Sequence, residues 1–172
     1  MTANGARLAL LTVGTDHHRF DRLIQWVEAW AVRNPAALEW VVQTGSSTPP
    51  RSLPSSMYLP QAALRTAMAR AVAVVCGAGP ATIMEARQAG IVPIVVPRRP
   101  ELREHVDGHQ VRFAPRVAES GQIVLAGTEQ DLHGLLDRAV SDPAAFRAAG
   151  PAADGGEAVQ RFATLVSGLF ER

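Results

Sequence analysis

The sequence predicts an α/β fold, a parallel sheet with helices on both faces. Three observations lead there. Short apolar runs alternate with amphipathic helical segments, the order of βαβ units with right-handed crossovers. The runs are continuously apolar, as strands covered on both sides are. The run 72–76 passes through Gly77, Ala78 and Gly79 into a segment opening with Pro80, so strand, tight turn and helix start follow one another directly.

Residues 7–13 form the first apolar run, ending at Gly14 and Thr15. Phe20, Leu23, Ile24 and Val27 then fall on one helical face. Residues 38–43 predict a second strand, 48–56 a Pro- and Ser-rich loop, 57–59 a short strand and 61–70 a helix. After the strand at 72–76, Pro80 and Gly90 bracket a helix, because proline suits the first helical position and glycine the one past the end. A strand at 91–96 and a helix from Gly108 or His109 to Glu119 follow, then a strand at 122–125. Thr128 is a natural cap for a helix over 128–140, with Asp131 in its first turn. A short helix is expected at 143–149 and a terminal amphipathic helix within 154–172, a candidate docking element for a partner. The whole chain, 1–172, reads as one domain.

Composition narrows the function. With 17 basic and 16 acidic residues the net charge is +1, which argues against general nucleic-acid binding. No apolar run approaches the roughly 18 residues of a membrane span, and residues 8–13 are too short for a secretory signal. The single cysteine, Cys76, allows no internal disulfide and suits a reducing cytoplasm. All the basic residues are arginines, so a Walker lysine or Schiff-base lysine is impossible.

Ligands of such sheets bind at the carboxyl ends of the strands. The loops there are 14–19, 44–48, 77–80 and 97–110, and they hold every candidate residue or lie next to it. The turn Gly77, Ala78, Gly79 with the helix start at Ala81 and Thr82 is a ready anion site, since the first backbone N–H groups of a helix are free and its dipole is positive there. It equally suits an ordinary strand-to-helix turn, because it lacks the third glycine of the dinucleotide fingerprint. Glu85 lies one turn further on, where a carboxylate accepts hydrogen bonds from vicinal hydroxyls; a solvated glutamate is the bland alternative. Glu104, His105, His109 and Gln110 suit a polyhydroxylated ligand. His105 and His109 have the i, i+4 spacing of a zinc helix, but Val106 stands where the motif needs glutamate, so no metal is expected. Arg98, Arg99 and Arg103 suit phosphates, an anionic surface or simple solvation. His17 and His18, beside Asp16, are candidate general bases or surface residues, since imidazole titrates near neutrality.

Several segments together resemble the C-terminal, donor-binding domain of family 28 glycosyltransferases, the family of MurG. They are Val13, Gly14, Thr15 with residues 20–24; Val42, Gln43, Thr44, Gly45; Gly77, Ala78, Gly79 with residues 82–86; Pro93 with Val96, Pro97, Arg98; and residues 104–110. The resemblance is nearest to free-standing versions of this domain, the catalytic subunit of split UDP-N-acetylglucosamine transferases and small bacterial exopolysaccharide subunits. Pro80, Cys76 and the pair His17, His18 depart from the pattern.

The resemblance implies a Rossmann-like sheet, the C-terminal half of a GT-B glycosyltransferase. It implies that Gly77 to Thr82 hold the pyrophosphate of a UDP-sugar, that Glu85 binds ribose, that His109 and Gln110 read the sugar, and that Gly14, Thr15 and the Gly45 loop face the cleft. It implies inverting transfer with no cofactor beyond the UDP-sugar substrate, UDP-N-acetylglucosamine being one such donor. Such an architecture needs an acceptor half, and the chain opens directly at the donor-domain strand. The expectation is therefore a split enzyme, cytoplasmic and peripheral at the membrane through a membrane-anchored acceptor-binding subunit, acting on a lipid-linked or glycan acceptor. The alternatives are a non-catalytic nucleotide-sugar-binding or scaffold protein, and a secondary-metabolite glycosyltransferase using another nucleotide sugar such as a dTDP-sugar.

Overall fold

The computed structural model describes residues 7–149 together with 160, 162–165, 167 and 168. Five strands, β1 (Leu8–Thr12), β2 (Glu39–Gln43), β3 (Ala73–Gly77), β4 (Ile94–Val96) and β5 (Val124–Leu125), form one sheet in the order β2-β1-β3-β4-β5. Every neighbouring pair is parallel. The helices between and after them are α1 (Asp21–Arg33), α2 (Gln61–Arg70), α3 (Pro80–Gln88), α4 (His109–Glu119) and α5 (Glu129–Ser141).

The period of two in each strand sorts the apolar side chains into two layers. Leu11, Val75, Ile94 and Val96 face Leu23, Ile24, Val27 and Trp30 of α1 and Leu132 and Leu136 of α5. On the other side Leu10 and Val74 pack on Leu64 and Met68 of α2. Cys76 and Val95 meet Ile83 of α3 and Phe113 and Val117 of α4. Burying each large aliphatic side chain contributes about 1.5–3 kcal/mol, so these two layers carry the fold.

Three expectations change in detail. β4 is shorter than 91–96 because Pro93 has no N–H to give the ladder. Ile91 bridges antiparallel to Arg147 instead, and the Val92 N–H bonds to Phe146 O at 2.8 Å. No strand forms at 57–59; a single bridge joins Gln43 to Ser56. The segment after α5 makes one 3-10 turn, Pro143–Phe146, which buries Phe146. The terminal helix lies largely outside the described residues. Those described within it are helical, and Phe162 packs edge-on against Phe113 with ring centroids 5.9 Å apart. That side chain is engaged with this chain's own core. Among the described residues no helix is long and apolar enough to cross a membrane.

Candidate donor-binding cleft

The strand order reverses between β1 and β3, and the loops leaving β1, β3 and β4 meet above that point, where parallel sheets bind ligands. They enclose a cleft of about 290 Å³. The first loop contributes Gly14, Thr15 and Asp16, the β3–α3 turn Gly77, Gly79, Pro80, Ala81 and Thr82, and the third loop Arg98, His105, His109 and Gln110.

The floor is the N-terminus of α3. Gly79 is its cap residue and supplies no side-chain hydrogen bond. The first internal bond runs from Ile83 N–H to Gly79 O at 3.2 Å. The N–H groups of Ala81 and Thr82 precede it and have no helical partner, and Pro80 has no N–H to offer. A Cβ on Gly79 would meet nothing within 4 Å, so the space in front of these donors is open. Gly77 differs. A Cβ there would lie 3.3 Å from the Phe20 ring, so its lack of a side chain serves packing. Ala78 is only 1% exposed and points into the core, so it lines nothing, contrary to the sequence expectation. Gly45 is likewise a buttress. Its φ is +52°, and a Cβ would come within 2.8 Å of Gly14 O, so glycine there lets the β2 loop press against the cleft loop.

The wall formed by the β4 loop corrects two expectations. Arg98 is not presented to a phosphate. Its guanidinium donates to Val13 O at 2.7 Å, to His18 O at 2.9 Å and to Glu104 O at 2.9 Å, and lies over the Phe20 ring. It ties the β1 loop to the β4 loop. Burial pulls this guanidinium below its usual value, while Asp16 and Glu104 draw it back up. Glu104, expected to bind sugar, is 4% exposed. It accepts from Arg22 Nε at 2.8 Å and Nη2 at 2.7 Å, and from the Arg99 N–H at 2.8 Å. Both residues are spent because a buried charge is costly unless paired. Arg22 lies within one of the family segments, but nothing local in the sequence marks a partner 82 residues away. Gln110 remains in the cleft, with its Oε1 accepting the Arg98 N–H at 3.1 Å.

The histidines are partly regrouped. His17 is 86% exposed, and neither it nor His18 lines the cleft. His18 Nδ1 lies 2.7 Å from Asp16 Oδ1, and the His18 N–H donates to the same oxygen at 2.7 Å. Burial works to raise the Asp16 carboxyl, but the hydrogen bonds from His18 and the charge of Arg98 outweigh it and hold the group below its ordinary value. His105 and His109 do line the cleft. In sequence Asp16 is only a neighbour of His17 and His18; folding places its carboxylate 3.6 Å from His105 Nε2.

Glu85 does not reach this cleft. It is half-buried on the α2 side of α3, accepts a hydrogen bond from Gln61 Nε2, and borders a separate hollow of about 310 Å³. A larger hollow of about 530 Å³ lies beside Arg19, Asp21, Arg22, Arg103 and Glu104. It touches no helix N-terminus of the cleft, and most of its charges are paired among themselves as Arg19–Asp21 and Arg22–Glu104. The smaller cleft at the switch point is therefore the better candidate.

This arrangement, a parallel sheet with an uncapped helix start over its switch point, agrees with comparison to known families. The model of the glycosyltransferase family 28 C-terminal domain matches residues 8–163. The chain belongs to that family. Comparison with curated proteins finds no match. Among solved structures, MurG of Acinetobacter baumannii superposes with a TM-score of 0.61 at 18% identity, covering 99% of this chain and 51% of MurG. The glycosyltransferase of kitacinnamycin gives 0.63 at 16% identity, covering 96% of this chain and 41% of its own. The glycosyltransferase VinC, solved in complex with dTDP, gives 0.55 at 16% identity, covering 99% and 42%. The family 28 domain therefore spans about half the length of the MurG chain it matches. At these identities the likeness concerns the fold, the Rossmann-like C-terminal half of GT-B glycosyltransferases.

Proposed function

We propose that the chain is the donor-binding part of an inverting glycosyltransferase that takes a nucleoside-diphosphate sugar, a UDP-sugar such as UDP-N-acetylglucosamine. The observation that supports this most is the open N-terminus of α3 at the base of the cleft. Two unpartnered N–H groups and the helix dipole suit a diphosphate, and they suit it better as charge builds on the leaving diphosphate during transfer. Gly14 and Thr15 face it from the first loop, and His109 and Gln110 stand where a sugar would follow. Glu85 serves ribose in this reading, reached by a nucleoside lying over α3 toward the α2 side, with Gln61 holding the carboxylate. VinC was solved with dTDP, which makes a dTDP-sugar the competing donor.

The acceptor half, and with it the catalytic base, comes from a membrane-anchored subunit that binds a lipid-linked or glycan acceptor, and the chain is peripheral at the membrane through that partner. The family match describes a C-terminal domain, which fits a division of labour between two halves. Calorimetric titration with UDP-N-acetylglucosamine, UDP-glucose and dTDP-glucose tests the donor reading. We expect saturable binding of at least one, weakened at least tenfold by Glu85→Ala. If none binds, the reading fails. Binding without transfer, even with an acceptor-binding partner present, moves the assignment to a nucleotide-sugar-binding scaffold.

A further inference from the structure

The loop between β4 and α4 has a side that the donor cleft does not use. A Cβ on Gly108 would lie 3.9 Å from Pro100 Cγ, so the segment 100–108 closes on itself. Its base is pinned. Arg98 Nη1 donates to Glu104 O at 2.9 Å, and the Glu104 carboxylate pairs with Arg22 at 2.7 Å. Its tip carries Leu102 and Val106, 51% and 72% exposed. Single exposed aliphatic residues are ordinary on a protein surface. Two held out on one anchored loop, beside a hollow of about 530 Å³ that Leu102 helps to line, serve no packing in the fold.

Arg103, between them, is the stronger sign. Its φ of +58° and ψ of 27° are left-handed, and among the described residues no other non-glycine residue has a positive φ. Glycine adopts this conformation freely and arginine does not. The turn gains nothing from an arginine, whose side chain is exposed. The hollow is lined by three arginines and two carboxylates. Arg19 pairs with Asp21 and Arg22 with Glu104, which leaves Arg103 over.

One uncompensated guanidinium beside two aliphatic side chains matches a phosphate at an apolar boundary, the chemistry of a phospholipid headgroup. A nucleotide is a poorer match, because the helix start bordering this hollow, that of α1, already carries the Asp21 carboxylate. Two carboxylates on the loop oppose an anionic surface, exposed Glu101 and Asp107, the latter engaged with His109. Contact therefore needs the aliphatic residues as well as the arginine.

We propose that the loop 100–108 and the hollow beside it form a membrane-contact site, in which Leu102 and Val106 enter the bilayer interface and Arg103 pairs with the phosphate of an anionic phospholipid. The contact requires neither a bound donor nor a partner subunit. His105, on the same loop, lines the donor cleft, so a bilayer held here runs beside the cleft.

The full chain is sedimented with vesicles of equal parts phosphatidylglycerol and phosphatidylcholine, and with vesicles of phosphatidylcholine alone. We expect saturable binding to the first and at least fivefold weaker binding to the second. Arg103→Gly suits the left-handed backbone, so it keeps the fold while removing the charge, and it should weaken binding about fivefold. Leu102→Gln and Val106→Gln should each weaken it, and Glu101→Gln should strengthen it. Arg138→Ala, an equal change of charge at an exposed position on α5, leaves binding unaltered. Circular dichroism checks that the variants fold. No binding to either vesicle, equal binding to both, full binding in Arg103→Gly, or an equal loss in Arg138→Ala overturns the site. So does calorimetric binding of inorganic phosphate that Arg103→Gly abolishes, if no vesicle is bound. Self-association that Leu102→Gln abolishes, again without vesicle binding, would instead assign the loop to a second copy of the chain and overturn it too.

Discussion

Among the helices that start at the carboxyl edge of the sheet, α3 after β3 and α5 after β5 have N-termini finished in opposite ways. At α5 the Thr128 hydroxyl accepts the Asp131 N–H at 3.1 Å, and the Asp131 carboxylate accepts the N–H groups of Thr128 at 2.9 Å and Gly127 at 3.1 Å. Those donors are satisfied by the chain itself. At α3 the cap is Gly79, the next residue is proline, and no side chain returns to the free N–H groups. The same kind of edge thus yields a closed end and an open one. A helix start binds an anion only where its own sequence declines to cap it, at a cost in intrinsic stability.

The comparison presupposes that the wall opposite α3 stands without a ligand. Glu104→Ala tests this and carries the largest expected effect. It strips Arg22 of its buried partner and should lower unfolding free energy by about 3–5 kcal/mol in urea titration. A loss under about 1 kcal/mol would mean that the pair is merely decorative and the wall is held by something else.

Next, Gly79→Asp turns the open end into a closed one. Its φ of −72° and ψ of 125° suit a capping aspartate, and the space is clear. Stability should change by only a few tenths of a kcal/mol, while affinity for a nucleoside diphosphate falls at least tenfold in calorimetry. Unchanged affinity would show that the ligand is not at this helix end. Thr128→Ala makes the converse change at α5, opening an end that has no ligand to fill it. About 1 kcal/mol of stability should be lost, visible as a lower Tm, with nucleotide affinity unaltered.

The smallest effect concerns the loop facing α3. The Asp16 carboxyl titrates below its ordinary value of 3.8 when folded. A depressed folded pKa adds stability that is complete above the unfolded value and disappears as pH falls through the folded one. Asp16→Asn should therefore flatten the acid limb of the stability–pH curve below about pH 4 and leave the curve at pH 7 parallel to that of the parent. A steeper acid limb in the variant would reverse the assignment.

The elements legible in advance were those set by near neighbours along the chain. The apolar face of Leu23, Ile24 and Val27, Pro80 opening α3, Gly90 with φ +79° just beyond its end, and Thr128 capping α5 all lie where the pattern put them. The misreadings share one feature. Arg98 and Glu104 read as ligand-facing because polar loops at strand ends meet ligands, with solvation the alternative for Arg98, and Gly45 reads so only through the family resemblance. Their partners, Val13, Arg22 and Gly14, lie 85, 82 and 31 positions away and are hidden from any local pattern.

Periodicity, proline and glycine act on the backbone within a turn or two, so the chain alone determined the order of strands and helices, the parallel sheet and the open start of α3. The disposition of charge was decided only by folding. Desolvation makes each buried charge take the best partner within a few ångströms, and the sheet order chooses who that partner is. It turned Arg98 and Glu104 inward as braces and left backbone N–H groups and histidines facing the cleft.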